Sequence, residues 1–558
     1  MKGKTALTWL SRIVRQYRMH IGVLTFFEIV ISGMGVCYAI VMKQMVDWAV
    51  AGDMSGFIAG IIGFVVLVLG QLLLRVISRQ LAESVRSNIE NTCKKNLFSA
   101  LLRKDYKSVS GVHSEEWMNR MTSDTVVCAS GMTDILPGLS GMLVRLIGSL
   151  ALIIYLQPGL ALIIVPGGVL FLIITLLLRN PLKRFHKEVQ QCDGKVRVYL
   201  QERISSMLVV RTFGTEDRTV EGAQEFMQEH KKARMQKALI SNICNSGFSL
   251  AINAMYLLGI GYCGYGIILG SISYGTLTAI IQLIGQLQAP LSGLSGYVPR
   301  YYAMTASAER LMEIEKFAEA EHENVMSKAE VQKCYHEDVK EIAFEKVSFS
   351  YQSDADAVLK QTSFSVAKGD YVAVTGTSGC GKSTMLKILM GIYEPQSGEA
   401  VVRLQDGRVR TVGEMRRLFA YVPQGNFLMG GSVREVITFG KKEANEEALK
   451  EVLHLACAEF VYELPNQLDT MLGEKGAGLS EGQMQRIAIA RALYADNPVL
   501  ILDESTSALD SKTEEQVLNN LKCLTDKTVF IVTHRPQALC ICNKRLIFEA
   551  GVTISKLH

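Results

Sequence analysis

This 558-residue chain lacks the cysteine spacings of disulfide-stabilised domains and zinc sites. Its twelve cysteines are scattered, none forms a Cys-x-x-Cys pair, and the closest two, Cys540 and Cys542, are separated by one residue. Small secreted domains and zinc ribbons both need cysteines at fixed, repeated spacings. The pattern therefore indicates a reduced, cytosolic and membrane setting and gives no support for structural zinc.

Charged residues are missing from long parts of the first 300 residues. Residues 238–299 contain no Asp, Glu, Lys or Arg at all, although the whole chain has a net charge of +5. So mild a net charge does not indicate a nucleic-acid partner. After about residue 300, charged and apolar residues alternate as in a soluble α/β domain, so the length and this shift in composition predict at least two domains.

Six apolar stretches are long enough to cross a bilayer, which requires about 20 apolar residues. They lie at 20–46, 57–81, 131–156, 159–179, 243–268 and 274–298. Any one of them could instead be a buried helix of a soluble protein, but six together favour an α-helical, polytopic membrane domain.

The connections between these stretches alternate in length and charge. Residues 82–130 and 180–242 are long and rich in Lys and Arg, whereas the other three connections are short and contain neither. This excess of Lys and Arg in the long connections predicts that they and both termini are cytoplasmic. Because the long connections have an amphipathic helical pattern, the spans should continue as helices below the membrane. The basic, amphipathic residues 1–20 predict an interfacial helix rather than a cleaved signal.

The domain boundaries follow from these patterns. We assign residues 1–320 to a six-helix transmembrane domain with cytosolic coupling loops, and 321–340 to a polar linker. Residues 341–558 begin with the strand EIAFEKVSFSY and then alternate strand and helix signals, which predicts an α/β P-loop cassette.

A phosphate-binding loop is predicted at residues 376–384, GTSGCGKST, because this string follows the strand YVAVTG and opens a helix. Glycines let the backbone wrap phosphates, and the helix N-terminus directs free N–H groups at them. Lys382 should reach the β- and γ-phosphates and Ser383 should bind Mg²⁺. A chance match in a loop is the alternative. The residues predicted to surround the nucleotide here are Gly376, Ser378, Gly379, Cys380, Gly381, Lys382, Ser383 and Thr384.

Two carboxylates end the apolar run VLILDE at 499–504. Asp503 suits the outer shell of Mg²⁺, and Glu504 is placed to polarise an attacking water. Acids at the end of a strand can instead act as simple caps, but the nearby phosphate loop favours the catalytic interpretation.

LSEGQ at 479–483, followed by MQRIAIARAL, resembles the signature sequence and helix of the ATP-binding cassette (ABC) transporters. Further segments fit the family in order and spacing, namely Gln424 in YVPQGNF, the loop 507–510 (SALD), and His534 in IVTHR. The resemblance covers nearly the whole chain. It implies that Ser480, Gly482 and Gln483 of one subunit face the γ-phosphate held by the phosphate loop of the other.

The resemblance also implies roles for three single residues. Gln424 is expected to sense Mg²⁺ and the membrane domain, His534 to hold the γ-phosphate and orient Glu504, and Tyr351 to stack on adenine. Each assignment is weak alone, because a lone His is usually packed or solvated and a lone Tyr before a turn is usually core. The expected metal set is Ser383, Gln424 and Asp503, with ATP and Mg²⁺ as cofactors.

Two residues depart from the family pattern, and one cysteine lies inside the phosphate loop. Glu481 stands where the family usually has Gly, and Asn543 where an acid is common. Glu481 is not expected to touch phosphate, although an acid so close to it could slow turnover. Cys380 is either a small filler residue or a redox-sensitive one, and a bulky thiol reagent on it should block ATP binding.

In the membrane half, two short segments are expected to dock on the cassettes, Asp105–Ser114 and Phe213–Arg218, with plain solvated loops as the alternative. Glu28 and Arg145 lie in spans, where they either pair with each other or contact substrate. Gln282 and Gln286 share one face of the sixth span and should face a cavity or partner helices.

The family resemblance implies a function. The chain should be a half-transporter that exports a small molecule, lipid or peptide by ATP-driven alternating access. Its partners would be a second half-transporter, identical or different, together with membrane lipid and substrate, and no nucleic acid. An importer on the same fold and an ATP-gated or regulatory membrane protein are the alternatives.

Overall fold

The computed structural model describes residues 2–319, 325–351, 356–377, 379–425, 428–440, 444–473, 478–548 and 552–556. The chain divides into two compact units. The first unit, here called the membrane unit, comprises Met1–Leu101 and Ser114–Lys316, and the second, the cassette unit, comprises Leu102–His113 and Phe317–His558. The segment 102–113 therefore groups with the cassette, although the sequence places it among the loops of the membrane domain.

The first 312 residues are almost entirely helical. The helices are α1 (Lys2–Ile13), α2 (Arg18–Ala51), α3 (Met54–Arg103), α4 (Tyr106–Ser110), α5 (Ser114–Asn119), α6 (Thr125–Leu156), α7 (Pro158–Ser205), α8 (Met207–Thr212), α9 (Glu216–Ile268) and α10 (Tyr274–Met312). Local sequence sets the ends: α2 stops at Gly52, which has a left-handed φ of 75°, and the Ser273 side chain caps α10.

Four helical stretches among the described residues are long and apolar enough to cross a membrane. They are Ala6–Ala51, Met54–Arg103, Ser114–Leu156 and Glu216–Ile268. The fourth and sixth predicted spans, 159–179 and 274–298, lie within the continuous helices α7 and α10. The predicted polytopic helical domain is confirmed, and so is the continuation of its helices well beyond the length of a bilayer span.

Within the membrane unit, α2, α6 and α10 pack against one another and α7 packs against α9. Buried apolar side chains such as Ala39, Ile153 and Leu283 form one cluster between them. Small residues allow close approach, since a methyl group built on Gly148 of α6 would lie 3.2 Å from Val36 of α2.

The cassette unit alternates strands and helices. Its strands are β1 (Val339–Phe349), β2 (Leu359–Ala367), β3 (Tyr371–Gly376), β4 (Ser397–Leu404), β5 (Val409–Thr411), β6 (Phe419–Val422), β7 (Gly431–Ser432), β8 (Met471–Leu472), β9 (Val499–Asp503), β10 (Thr528–Val532), β11 (Lys544–Phe548) and β12 (Val552–Lys556). Its further helices are α11 (Lys328–Glu337), α12 (Lys382–Leu389), α13 (Val433–Thr438), α14 (Glu446–Leu455), α15 (Glu481–Tyr494), α16 (Ser511–Lys522) and α17 (Pro536–Leu539).

Two sheets organise this unit. An antiparallel sheet has the order β2–β1–β4–β5, and a larger sheet has the order β12–β11–β3–β10–β9–β6. In the larger sheet all neighbours are parallel except β12, which lies antiparallel at one edge. Every residue of β9 and β10 is buried, as expected for parallel strands that are covered on both faces.

The segment 102–113 contacts the cassette through α4. Asp105 caps this short helix, its side chain accepting hydrogen bonds from the backbone N–H groups of Lys107 and Ser108. The Lys107 ammonium donates to the Ser350 carbonyl at 3.1 Å and lies 4.8 Å from the centre of the Phe349 ring. The first docking segment predicted from sequence therefore contacts the cassette of its own chain.

Candidate functional site

The carboxyl ends of four parallel strands bring most of the predicted site residues to one edge of the larger sheet. Strand β3 ends at Gly376 and β9 at Asp503, β10 leads through Thr533 to His534, and β6 leads to Gln424. Because β3, β10, β9 and β6 are neighbours with the same direction, the loops that follow them must meet. Ligands of open α/β sheets bind at this edge.

The phosphate loop has the backbone that its glycines predict. Gly376 has a φ of 148°, and a side chain there would clash with the Phe548 carbonyl of β11. Gly379 and Gly381 have φ values of 82° and 101°, in the region that L-residues rarely adopt. The Lys382 ammonium donates to the carbonyls of Gly376 and Thr377 at 2.6 and 3.0 Å, so it lies inside the loop. Ser378 lies outside the described residues.

The first turn of α12 completes this loop. Lys382 and Thr384 are buried, whereas Ser383 is exposed at the helix N-terminus and is open to a metal ion. The free N–H groups of this turn and the Lys382 charge both favour an anion. Cys380 is partly exposed, and its sulfur lies 3.0 Å from a methyl group built on Gly376, so the thiol borders the same loop.

The two adjacent acids at the end of β9 have different environments. Asp503 is only 3% exposed and accepts a hydrogen bond of 3.0 Å from the Tyr421 hydroxyl. Burial raises the pKa of the Asp503 carboxyl; the Tyr421 hydrogen bond opposes this rise and the neighbouring Glu504 charge adds to it. Burial also raises the pKa of Tyr421, which therefore remains a proton donor at neutral pH.

Glu504 leaves the strand through a left-handed backbone, with a φ of 49°. This conformation is uncommon for a residue with a side chain and clusters at functional sites. Its carboxylate accepts a 2.7 Å hydrogen bond from the Gln424 amide and lies 3.9 Å from His534 Nε2. The three residues predicted to be catalytic are thus brought together, with Glu504 between the other two.

The predicted magnesium ligands fit that ion. Ser383, Gln424 and Asp503 supply a hydroxyl, an amide and one carboxylate, all of them oxygen-bearing groups. Among the described residues, no group of three or more His, Cys, Asp and Glu side chains could hold a metal ion. A set with a single carboxylate suits Mg²⁺, which takes one or two carboxylates and completes its shell with nucleotide phosphates and water.

An aromatic cluster borders the phosphate loop. The Tyr351 hydroxyl shares a 2.9 Å hydrogen bond with the Thr384 hydroxyl, and its ring meets those of Phe349 and Tyr393 edge-on. Tyr351 is 45% exposed. Tyr106 of α4 contacts Tyr393 with ring centres 6.2 Å apart, so the docking segment touches this cluster.

The predicted signature residues form the N-terminus of α15. Ser480 caps the helix: its hydroxyl accepts from the Gln483 N–H at 3.2 Å, and the Gln483 side chain accepts from the Ser480 N–H at 2.9 Å. Gly482 allows close packing, because a methyl group there would lie 2.9 Å from the Ala508 carbonyl. Glu481 is exposed in the first turn of the helix.

Sequence reasoning missed the residues that hold the loop 507–510. Gln485 donates to the Ser507 hydroxyl at 3.3 Å and accepts from the Ala508 N–H at 3.1 Å. Arg535 donates to the Leu509 carbonyl and to Glu514, which is fully buried. In the sequence, Gln485 lies beside LSEGQ and Arg535 lies beside His534. That proximity is the only signal that could have identified them. Tyr421, three residues before Gln424, was missed for the same reason.

Comparison with known families identifies this arrangement. The family model for the ABC transporter transmembrane region matches residues 21–291, and the ABC transporter model matches residues 359–507. The chain belongs to the ABC transporter family. It is therefore a multi-pass membrane protein with a fused ATP-binding domain.

Individual relatives of this ABC transporter are distant. The probable multidrug resistance ABC transporter ATP-binding/permease protein YheI of Bacillus subtilis is 31% identical over 70% of this chain and 66% of its own. The mitochondrial iron-sulfur clusters transporter ATM1 of Yarrowia lipolytica is 32% identical over 66% of this chain and 51% of its own. The chain thus spans half to two thirds of the length of these relatives.

A solved structure has the same fold. The structure of a bacterial Atm1-family ABC exporter with ATP bound superposes with a TM-score of 0.76 and covers 96% of this chain and 94% of that one. At 20% sequence identity, the likeness concerns the fold. It confirms the predicted combination of a helical transmembrane domain and a nucleotide-binding cassette.

Proposed function

We propose that this ABC transporter is half of an ATP-driven exporter. The observation that carries the proposal is the contact of Glu504 with Gln424 and its approach to His534 at the strand edge that holds the phosphate loop. A carboxylate next to an amide and an imidazole can hold a water molecule and accept its proton as the water attacks the γ-phosphate.

The other residues of the site bind the nucleotide and its metal ion, and Glu504 is left for the chemical step. Lys382 and the N–H groups of the phosphate loop bind the β- and γ-phosphates, and Tyr351 stacks on adenine. Ser383, Gln424 and Asp503 would hold Mg²⁺, which would neutralise part of the phosphate charge. Asp503 is fixed by Tyr421, while the partly exposed Glu504 is free to face the attacking water.

We infer that two half-transporters complete each other's sites. Ser480, Gly482 and Gln483 form the N-terminal turn of α15, and the positive end of this helix dipole suits the γ-phosphate of a nucleotide bound to the partner. ATP then joins the two cassettes and hydrolysis releases them. The partner is a second copy of this chain or a different half-transporter.

Alternating access in the membrane unit follows from this cycle. Closing and opening of the cassettes moves α4, which contacts the aromatic cluster beside the phosphate loop. The protein lies in the cytoplasmic membrane with both termini and the cassette in the cytoplasm, and it contacts lipid but no nucleic acid.

Export is favoured over import by the relatives. The names of YheI and of the structural neighbour refer to multidrug resistance and to export, and ATM1 is named for iron-sulfur clusters. These names differ in substrate, so small molecules, lipids and peptides all remain candidates. The complete Glu504 arrangement argues against a purely regulatory membrane protein.

Replacement of Glu504 by Gln tests the proposal. The amide keeps the size of the side chain but cannot accept a proton, so steady-state ATP hydrolysis should fall at least about 100-fold while ATP stays bound. Phosphate release and retention of labelled ATP measure the two effects. Glu515→Gln, on the exposed face of α16, is the matched control and should keep wild-type turnover. ATP hydrolysis at the wild-type rate by Glu504→Gln would show that Glu504 is not the catalytic base.

A further inference from the structure

The first 27 residues contain basic side chains and no acidic ones. Five Lys and Arg residues precede Glu28, which is the first acidic residue of the chain. Their combined charge equals the net charge of +5 of all 558 residues, so the rest of the chain is neutral on balance. The excess positive charge of the protein is therefore concentrated where the chain enters its first membrane span.

The structure holds this basic segment against the rest of the membrane unit. Helix α1 packs against α10, Leu10 is buried, and the Trp9 indole N–H donates at 2.5 Å to the Glu315 carboxylate just after α10. Further along the segment, the Tyr17 hydroxyl shares a 3.1 Å hydrogen bond with the Thr92 hydroxyl of α3. The segment is thus fixed on two helices, and its outer side is a defined surface.

Three arginines occupy this outer side. Arg12, Arg15 and Arg18 are all exposed, and they follow one another at intervals of three residues. Residues Val14–Tyr17 form a 3₁₀ turn, in which side chains three residues apart lie above one another. Among the described residues, none of the three arginines pairs with a carboxylate, and Arg18 donates at 3.3 Å to the neutral Ser11 carbonyl. Three uncompensated positive charges are therefore presented on one side of the segment.

The arginines lie directly beside the lipid-facing part of α2. Met19 and Phe26 are 82% and 60% exposed, and such apolar side chains on a membrane span contact the acyl chains of lipids. The step from Arg18 to Met19 therefore marks the level at which the headgroups begin. Basic clusters just cytoplasmic of a span bind anionic phospholipids, because the negative surface of that leaflet attracts each Lys or Arg near it. The guanidinium fork also pairs with two phosphate oxygens at once.

We propose that Arg12, Arg15 and Arg18 form a binding surface for the headgroups of anionic phospholipids in the cytoplasmic leaflet. A zwitterionic headgroup carries its own cation beside the phosphate, so it brings no net counter-charge to the arginines. An anionic headgroup supplies that counter-charge. The inference rests on the membrane location in the proposed function and adds to it the class of lipid that the chain selects. It does not depend on ATP hydrolysis.

Native mass spectrometry of the purified full chain in detergent tests this surface. The chain is incubated with equal amounts of phosphatidylglycerol and phosphatidylcholine that have identical acyl chains, and the bound lipids of each class are counted. The wild-type chain should retain mainly phosphatidylglycerol. The triple variant Arg12→Gln, Arg15→Gln, Arg18→Gln should lower the ratio of bound phosphatidylglycerol to phosphatidylcholine at least about fivefold, because three charges are lost. Equal ratios in the two proteins would overturn the proposal.

Two further triple variants separate this surface from net charge and from folding. Replacement of the three surface arginines by Lys keeps their charges and should keep most of the preference for phosphatidylglycerol. Arg416→Gln, Arg417→Gln, Lys450→Gln removes the same charge from exposed positions of the cassette and should leave the lipid ratio unchanged. Melting temperatures show that each variant is folded. An equal loss of preference in the cassette variant would show that net charge alone sets lipid binding, and would contradict the proposal.

Another occupant of the surface, or failure of the export function, gives a different result. If the surface held a second copy of this chain, the triple Gln variant would dissociate to monomers on light scattering while its lipid ratio stayed at the wild-type value. The lipid measurement is made without nucleotide, so wild-type hydrolysis by Glu504→Gln would contradict the proposed function and leave the lipid surface intact. Loss of hydrolysis in Glu504→Gln, with equal lipid ratios in the wild type and the triple Gln variant, would do the reverse.

Discussion

At the scale of single residues, two adjacent acids acquire different environments from their positions relative to β9. Asp503 is the last residue of the strand and stays buried, whereas Glu504 leaves it with a positive φ and becomes partly exposed. The left-handed backbone turns Glu504 toward Gln424 and His534. The sequence motif alone names both acids, but only the backbone at the strand end separates a buried carboxylate from a partly exposed one.

Tyr421→Phe removes the hydroxyl that fixes Asp503 and keeps the aromatic ring. We expect the Mg²⁺ concentration for half-maximal ATP hydrolysis to rise several-fold, because a carboxylate that has lost a hydrogen bond is held less well in place. Binding of a fluorescent ATP analogue in EDTA should not change. Tyr462→Phe is the matched control, since the buried Tyr462 hydroxyl has no hydrogen-bond partner among the described residues. An unchanged Mg²⁺ dependence in Tyr421→Phe would show that this hydrogen bond is incidental.

Cys380 makes the phosphate loop sensitive to thiol reagents. A bulky maleimide on this partly exposed sulfur would occupy the space that the loop encloses, so ATP binding should be lost. Cys380→Ala retains the other cysteines, including the exposed Cys37, Cys523 and Cys540, and should resist the reagent. Mass spectrometry verifies modification at Cys380, and full ATPase activity of the modified protein would argue against the assigned pocket.

At the scale of elements, the larger sheet explains why distant motifs meet. Parallel strands β3, β10, β9 and β6 end at one edge, so four loops far apart in the chain form one site. Helix α15 and the loop 507–510 are held together through Gln485, and Arg535 joins the same loop to Glu514 of α16. These contacts connect the signature helix to the loop that follows Glu504.

Glu514→Ala tests how much this network stabilises the cassette. Glu514 is fully buried and accepts hydrogen bonds from Arg535 at 2.6 Å and from Thr506 at 2.8 Å. Its loss leaves those donors without their acceptor, so the free energy of unfolding should fall by about 3 kcal/mol. Urea denaturation of the full chain, followed through the unfolding transition of the cassette, measures this free energy. The neighbouring exposed Glu515→Ala should change it by less than about 0.5 kcal/mol, and equal effects would contradict a structural role for the network.

Local patterns predicted the elements better than the contacts between them. The phosphate loop and β9 follow from glycine spacing and an apolar run, and α15 follows from the resemblance of LSEGQ and MQRIAIARAL to the family's signature helix. All three are properties of short segments. The Tyr421 hydrogen bond to Asp503 joins two different strands. The grouping of residues 102–113 with the cassette joins segments that are hundreds of residues apart in the chain. Such contacts depend on tertiary packing, for which no short segment carries a signal.

At the scale of the whole molecule, one chain carries each nucleotide-binding motif once. The phosphate loop and Glu504 form one group of contacts, while Ser480 and Gln483 bond to each other at the start of α15. The positive end of a helix dipole is suited to a phosphate supplied from outside the chain. The account therefore requires a partner to complete each site.

The most direct test compares the turnover of single and paired chains. The purified protein is separated in detergent into monomeric and dimeric fractions, whose masses are verified by light scattering, and ATP hydrolysis is measured per chain in each. The account predicts hydrolysis in the dimer and less than about one hundredth of that rate in the monomer, because catalysis loses the donors that the partner supplies. A monomer that hydrolyses ATP as fast as the dimer would contradict it.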